Sequence, residues 1–198
     1  MGVAVVDSGG ANISSVLHAL RRLGVEPAFT ADARVISEAE RVILPGVGAA
    51  GRAMEVLNAH GLPDVLRNLK QPVLGICLGM QLLFESSEED DATMLGLIPA
   101  RLEKLDGSRG LRVPHMGWNS IRNQKEDPLT RELDRQWFYF VHSYAAPIGS
   151  WTLSSSTHGD TFSAIVRQEN FYGAQFHPER SAAAGAELLR GFLETTLT

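Results

Sequence analysis

Gln71-Pro72-Val73-Leu74-Gly75-Ile76-Cys77-Leu78-Gly79 is a short apolar run opened by a proline and closed by a cysteine with a glycine two residues to either side. A continuous apolar stretch of this length reads as a buried strand of a parallel sheet. The residues that follow, Leu78 to Phe84, contain no proline and predict a helix. A side chain at a sharp strand-to-helix turn crowds its neighbours, so the positions two before and two after it need to be nearly without atoms. Cys77 therefore reads as a presented thiol. At the start of a helix, unpaired backbone N–H groups favour thiolate over thiol, and the Leu78 N–H can face a developing oxyanion. The competing reading is an inert buried cysteine, the usual fate of a single thiol.

Outward from this segment the chain alternates strand and helix. Val3 to Asp7 followed by Ser8-Gly9-Gly10 is strand into loop, and Asn12 is placed to cap a helix carrying Ile13, Val16, Leu17 and Leu20 that ends at Gly24. Strands are expected at Pro27 to Thr30 and Arg41 to Leu44, then helices through Met54 and Leu57 and over Leu62 to Leu69. This alternation predicts an α/β fold, an open mostly parallel sheet with helices on both faces, whose ligands sit beyond the carboxyl ends of the strands. Asp7, the Gly46 to Gly48 loop and Cys77 fall there. From about Ala100 shorter runs, Trp137 to Val141, Trp151 to Ser155, Ser163 to Val166 and Phe171 to Phe176, predict added antiparallel strands before a closing helix from Ala183 to Leu193.

Composition narrows the function classes. With 198 residues, 44% hydrophobic and 21% charged, the chain is expected to form one domain spanning 1–198. A net charge of −5 without a long basic block argues against nucleic acid and anionic membrane as partners. One cysteine excludes an intramolecular disulfide framework and a multi-cysteine zinc site, which fits a reducing, cytoplasmic setting. The first apolar run is strand-sized, and no secretory leader or membrane span is read.

Near the other end stands His177-Pro178-Glu179. In an extended segment residues two apart point to one side, with side-chain origins roughly 6–7 Å apart, and Pro178 biases His177 away from helical angles. The carboxylate can then hold one ring nitrogen and leave the other to a thiol; a strand-end histidine beside a solvated glutamate is the plainer alternative. His18 and His60 fall on predicted helices and are expected at the surface, His158 in a polar loop, and His115 and His142 at strand ends facing a cleft. A metal bound by His177 and Glu179 lacks a third ligand nearby in sequence. Pro45-Gly46-Val47-Gly48 follows a strand and lets backbone approach a ligand, which makes it a candidate second oxyanion donor; the phosphate-loop pattern is absent. Glu85 to Asp91 is a charge run, read as a solvated helix end.

Taken together, Pro45-Gly46-Val47-Gly48, Gly75-Ile76-Cys77-Leu78-Gly79-Met80-Gln81, Pro114-His115-Met116-Gly117-Trp118-Asn119, His142-Ser143-Tyr144 and Gln175-Phe176-His177-Pro178-Glu179-Arg180-Ser181 resemble the class I, triad-type glutamine amidotransferases over essentially the whole chain. The third and fourth segments resemble, within that class, the glutaminase subunits of imidazole glycerol phosphate synthases. The resemblance implies an enzyme in which Cys77 attacks the side-chain amide of L-glutamine to give a thioester and ammonia, His177 serves as base then acid, and Glu179 orients it. It implies Val47 and Leu78 backbone N–H groups as the oxyanion hole, and Gly48, Gln81, Glu89, Ser143 and Tyr144 as glutamine-binding positions, with Glu89 facing the substrate ammonium. No cofactor or metal is implied. Ammonia would pass to a (β/α)8-barrel cyclase subunit in a heterodimer, which forms imidazole glycerol phosphate and an aminoimidazole carboxamide ribotide in histidine biosynthesis. Asn12, His115, Met116, Gly117, Trp118 and Asn119 are the implied interface positions. The first loop lacks the Tyr-Gly that many members carry after the aspartate, and Ala50 replaces a frequent aromatic. A stand-alone cysteine hydrolase and a non-catalytic binding module are the rival functions; the former leaves Pro114 to Asn119 without a task, and the latter would not need the triad.

Overall fold

The computed structural model describes residues 2–10, 13–108 and 110–196. The first half alternates as expected: β1 (Val3–Val6), α1 (Ile13–Arg22), β2 (Ala28–Thr30), α2 (Ala33–Glu38), β3 (Arg41–Gly46), α3 (Ala50–Ala59), α4 (Leu62–Arg67), β4 (Val73–Cys77) and α5 (Leu78–Gln81). The second half is mainly strands: β5 (Phe84–Ser87), β6 (Ile98–Lys104), β7 (His115–Ser120), β8 (Arg122–Asn123), β9 (Trp137–His142), β10 (Tyr144–Ala145), β11 (Thr152–His158), β12 (Asp160–Gln168) and β13 (Phe171–Ala174), closed by α6 (Ala182–Glu194). The short helix α2 carries no sequence pattern that predicts it. It is started by Asp32, whose carboxylate accepts the Arg34 and Val35 N–H groups, a local cap with little apolar periodicity behind it.

The main sheet has eight strands in the order β2-β1-β3-β4-β13-β12-β11-β8. Its first five are mutually parallel and the last three antiparallel, so the expected open, mostly parallel sheet with antiparallel additions is present. Alternation along β1 sends Val3 and Val5 to one face, into a core with α1 and α6, and Ala4 and Val6 to the other, into a core with α3 and α4. Each fully buried aliphatic side chain, such as Leu44, Leu74 or Leu188, contributes about 1.5–3 kcal/mol. Two smaller sheets, β10-β6-β5 and the ribbon β7-β9, complete the strand set.

Two local expectations are corrected. The helix expected from Leu78 to Phe84 is a single turn, because the Leu97 and Ile98 N–H groups both reach the Leu83 carbonyl and the Gly96 N–H reaches that of Phe84, drawing this backbone into a sheet. The charge run is accordingly no helix end. Phe84–Ser87 is strand, and Glu89–Asp91 is a 3-10 turn with Asp90 at φ 56°.

Candidate active site

Cys77 stands where β4 turns into α5, at φ 53° and ψ −109°, a conformation that costs a non-glycine residue of order 1–3 kcal/mol. The flanking glycines are explained by their neighbours. A Cβ on Gly75 would lie 2.5 Å from the Gly79 carbonyl oxygen, and one on Gly79 would lie 1.7 Å from that of Leu44. The turn after the thiol is thus pressed directly on the backbones of β3 and β4. Because α5 is one turn long, its dipole is smaller than a full helix would supply, and the local N–H groups of the turn are what remain to act on the sulfur. The thiol touches the Val141 carbonyl at 3.8 Å, a weak bond that leaves the sulfur free to turn to an imidazole.

His177 is at the end of the chain that continues β13, the strand next to β4. Its N–H donates to the Tyr139 carbonyl at 2.9 Å, and its own carbonyl accepts from Ser181 Oγ at 2.6 Å, while Ser181 Oγ in turn accepts the Tyr139 N–H at 3.0 Å. His177 is therefore clamped to β9 from both sides. His177-Pro178-Glu179 is not an extended segment as expected: His177 is extended, but Pro178–Arg180 is a 3-10 turn. That turn brings Glu179 Oε1 to 2.8 Å from His177 Nδ1, both side chains being under 10% exposed. Helix α6 packs on this turn so closely that a Cβ on Gly185 would lie 1.9 Å from the Pro178 carbonyl oxygen. Burial disfavours charge on His177, but its interactions with Cys77 and Glu179 outweigh this and raise it from 6.5 to about 10.

A cavity of about 280 Å³ collects Val47, Gly48, Cys77, Leu78, Gln81, Glu89, Ser143, Tyr144 and His177, so every expected oxyanion and substrate-binding residue lines one space. It lies at the small end of ligand pockets, about 300–1,000 Å³, as suits a single amino acid. Gly48 adopts φ 101°, a conformation open to glycine, and lines the cavity together with Val47 and Leu78. Gln81 is held from behind, its Nε2 donating to the Tyr144 carbonyl at 3.0 Å and to Gln175 Oε1 at 3.1 Å. Glu89 Oε2 accepts the Ala50 N–H at 2.9 Å, tying the charge run to the start of α3. A cleft of about 580 Å³ at Asn123, Gln124, Lys125, Glu126, Asp127 and Arg131 lies on another loop and has no thiol, hydroxyl or imidazole in its lining. Among the described residues no group of three or more His, Cys, Asp or Glu is arranged to hold a metal ion, and no helix is long and apolar enough to cross a membrane.

The expected interface segment is strand β7, paired with β9. Met116 and Trp118 point outward, 63% and 50% exposed, and Trp137 on β9 extends the same apolar face at 57%. His115 does not belong with them. Alternation turns it inward, 4% exposed, against His142, so as a surface contact it is corrected. Gly117 and Asn119 are half-buried, and Asn119 donates to the Thr157 carbonyl at 2.9 Å. Asn12 lies outside the described residues. His158 ends β11 and stacks on His115 at 4.2 Å between ring centroids, where a polar loop was expected. Ser181, Val141 and Gln175 stand in quoted sequence segments but carry contacts to the site that the sequence leaves unassigned. The first was visible as the serine two residues after the glutamate, but the other two act through strand neighbours that no local pattern reveals.

Comparison with known proteins bears on this geometry. The family described as Glutamine amidotransferase class-I matches residues 4–195. Imidazole glycerol phosphate synthase subunit HisH of Xylella fastidiosa is 53% identical over 193 residues, 97% of this chain and 96% of that protein. Subunit HisH of Xanthomonas axonopodis pv. citri is 51% identical over the same shares. A solved glutamine amidotransferase structure superposes with a TM-score of 0.75 at 22% identity, covering 98% of each chain, and agrees in fold. With a family match over nearly the whole length and relatives more than half identical, this chain belongs to the class I glutamine amidotransferases, in the HisH branch.

Proposed function

We propose that the chain is the glutaminase subunit of an imidazole glycerol phosphate synthase and that Cys77, His177 and Glu179 are its catalytic triad. The observation that carries the residue roles is the single cavity holding the thiol and imidazole together, with Glu179 bonded to the far side of His177. His177 takes the thiol proton first, and the resulting thiolate Sγ of Cys77 then bonds the side-chain carbonyl carbon of glutamine. The oxyanion that forms faces the backbone N–H groups of Val47 and Leu78. Return of the proton to the amide nitrogen expels ammonia and leaves a thioester. Water, deprotonated by His177, then displaces the thiol and gives glutamate. Gly48, Gln81, Glu89, Ser143 and Tyr144 bind the rest of the amino acid, Glu89 beside its ammonium.

Residues 1–198 act as one catalytic domain, in a cytoplasmic setting that suits a working free thiol. The partner is a (β/α)8-barrel cyclase subunit that docks on the face of Met116 and Trp118, with Gly117 and Asn119 of the same strand and Asn12 as further interface positions, to form a heterodimer. The test is glutamate release from glutamine by the purified chain, alone and then with the cyclase and its nucleotide substrate. Release that rises with the cyclase and vanishes in Cys77→Ala supports the assignment; Cys77-independent release, or none under either condition, overturns it.

A further inference from the structure

His142 lines the pocket and pairs with His115, and the reaction above uses neither ring. His142 Nδ1 is 2.9 Å from the Tyr144 carbonyl oxygen, which can only accept, so Nδ1 carries the proton. Burial, aided by His115, His158 and His177 and opposed by the Tyr144 bond, lowers His142 from 6.5 to about 3, and the ring is neutral at working pH. Its Nε2 is then an acceptor, 3.1 Å from His115 Nδ1, which must donate. His115 is also neutral, lowered by burial and by His158 to about 4, and its bare Nε2 faces Asn119 Nδ2 at 3.4 Å. The donors thus run one way, from Asn119 on β7 through His115 and His142 to Tyr144. The Tyr144 carbonyl takes its second bond from Gln81 Nε2, so both of its lone pairs are filled.

The geometry points to His142 as a positioning residue for the glutamine pocket: its Nδ1–H pins the Tyr144 carbonyl, and the chain from Asn119 through His115 fixes the tautomer that does so. This rests on the glutamine reading above. The turn so held carries Ser143 and Tyr144, both in the cavity wall, so loosening it weakens ground-state and transition-state binding together. Asparagine places an N–H near the position of Nδ1, whereas leucine removes the donor at similar bulk.

The full chain with its cyclase subunit is assayed for glutamate release. His142→Leu is expected to raise KM for glutamine about tenfold, the loss one hydrogen bond gives, with kcat within about threefold. His142→Asn is expected to bring KM back to within about threefold of wild type. Equal KM for the two variants, or a loss confined to kcat, would overturn the inference. Should His142→Leu not fold, nitrogen-15 NMR of the wild-type imidazoles decides: protonated Nδ1 and bare Nε2 are expected, and a proton on Nε2 overturns it. Absence of Cys77-dependent release from the wild-type pair would instead sink the functional reading, a failure that leaves the tautomer unchanged.

Discussion

His177 Nδ1 lies 2.8 Å from Glu179 Oε1 across the start of a 3-10 turn, and no partner for the other carboxylate oxygen is found among the described residues. The charge of Glu179 is thus spent on one imidazole. Replacing it with Gln keeps the shape but removes the charge and lets the wrong tautomer compete. Glu179→Gln is expected to lower kcat for glutamine hydrolysis by about 10²-fold or more, within the range of acid–base contributions, with little change in urea midpoint. It should also bring the His177 pKa down from its raised value, which an imidazole NMR titration reads. An unchanged rate removes the orienting role.

Cys77→Ala and Cys77→Gly are both expected to lose glutamine hydrolysis while keeping the fold. They should differ in stability. Glycine relieves the φ of 53°, so Cys77→Gly is expected to exceed Cys77→Ala by about 1 kcal/mol in urea unfolding, after the entropic penalty of glycine. Equal midpoints would mean that the turn is not strained.

The two glycines of α3 and α5 should respond oppositely to alanine. At Gly79 the new Cβ meets a backbone carbonyl at 1.7 Å that no rotamer can move, and a loss of about 3 kcal/mol or failure to fold is expected. At Gly51, with nothing within 4 Å, alanine is expected to gain up to about 1 kcal/mol of helix stability. Thermal melts of the two variants check both signs.

Acid sensitivity follows from the buried pair. His115 and His142 bind protons in the unfolded chain near the ordinary 6.5 but, folded, only near 4 and 3. Their contribution is intact above 6.5, and stability falls as pH drops below it, by up to about 1.4 kcal/mol per pH unit for each ring. His177 is shifted the other way: its contribution is present below 6.5 and lost as pH rises through about 10. Urea unfolding of His115→Phe at about pH 6 and pH 5 should show a shallower acid loss than wild type; an equal slope would place the acid sensitivity elsewhere.

Local chemistry alone was enough for the strand-helix alternation of the parallel half and for the presented position of Cys77. The apolar run from Val73 to Ile76, opened by Pro72, reads as a buried strand and is one, and the glycines around Cys77 are required by backbone contacts within a few ångströms of the turn itself. His177 and Glu179 were legible as a pair, though the angle between them was not, since Ser181 and the packing of α6 fold the tripeptide into a turn. The helix expected after Cys77 stops after one turn because strand β6, fourteen residues beyond Phe84, captures its backbone. Likewise His115 faces inward and His158 stacks on it because β7, β9 and β11 converge there. Hydrogen-bonding partners and burial at those positions come from residues distant in the chain, and only the tertiary structure decides which they are.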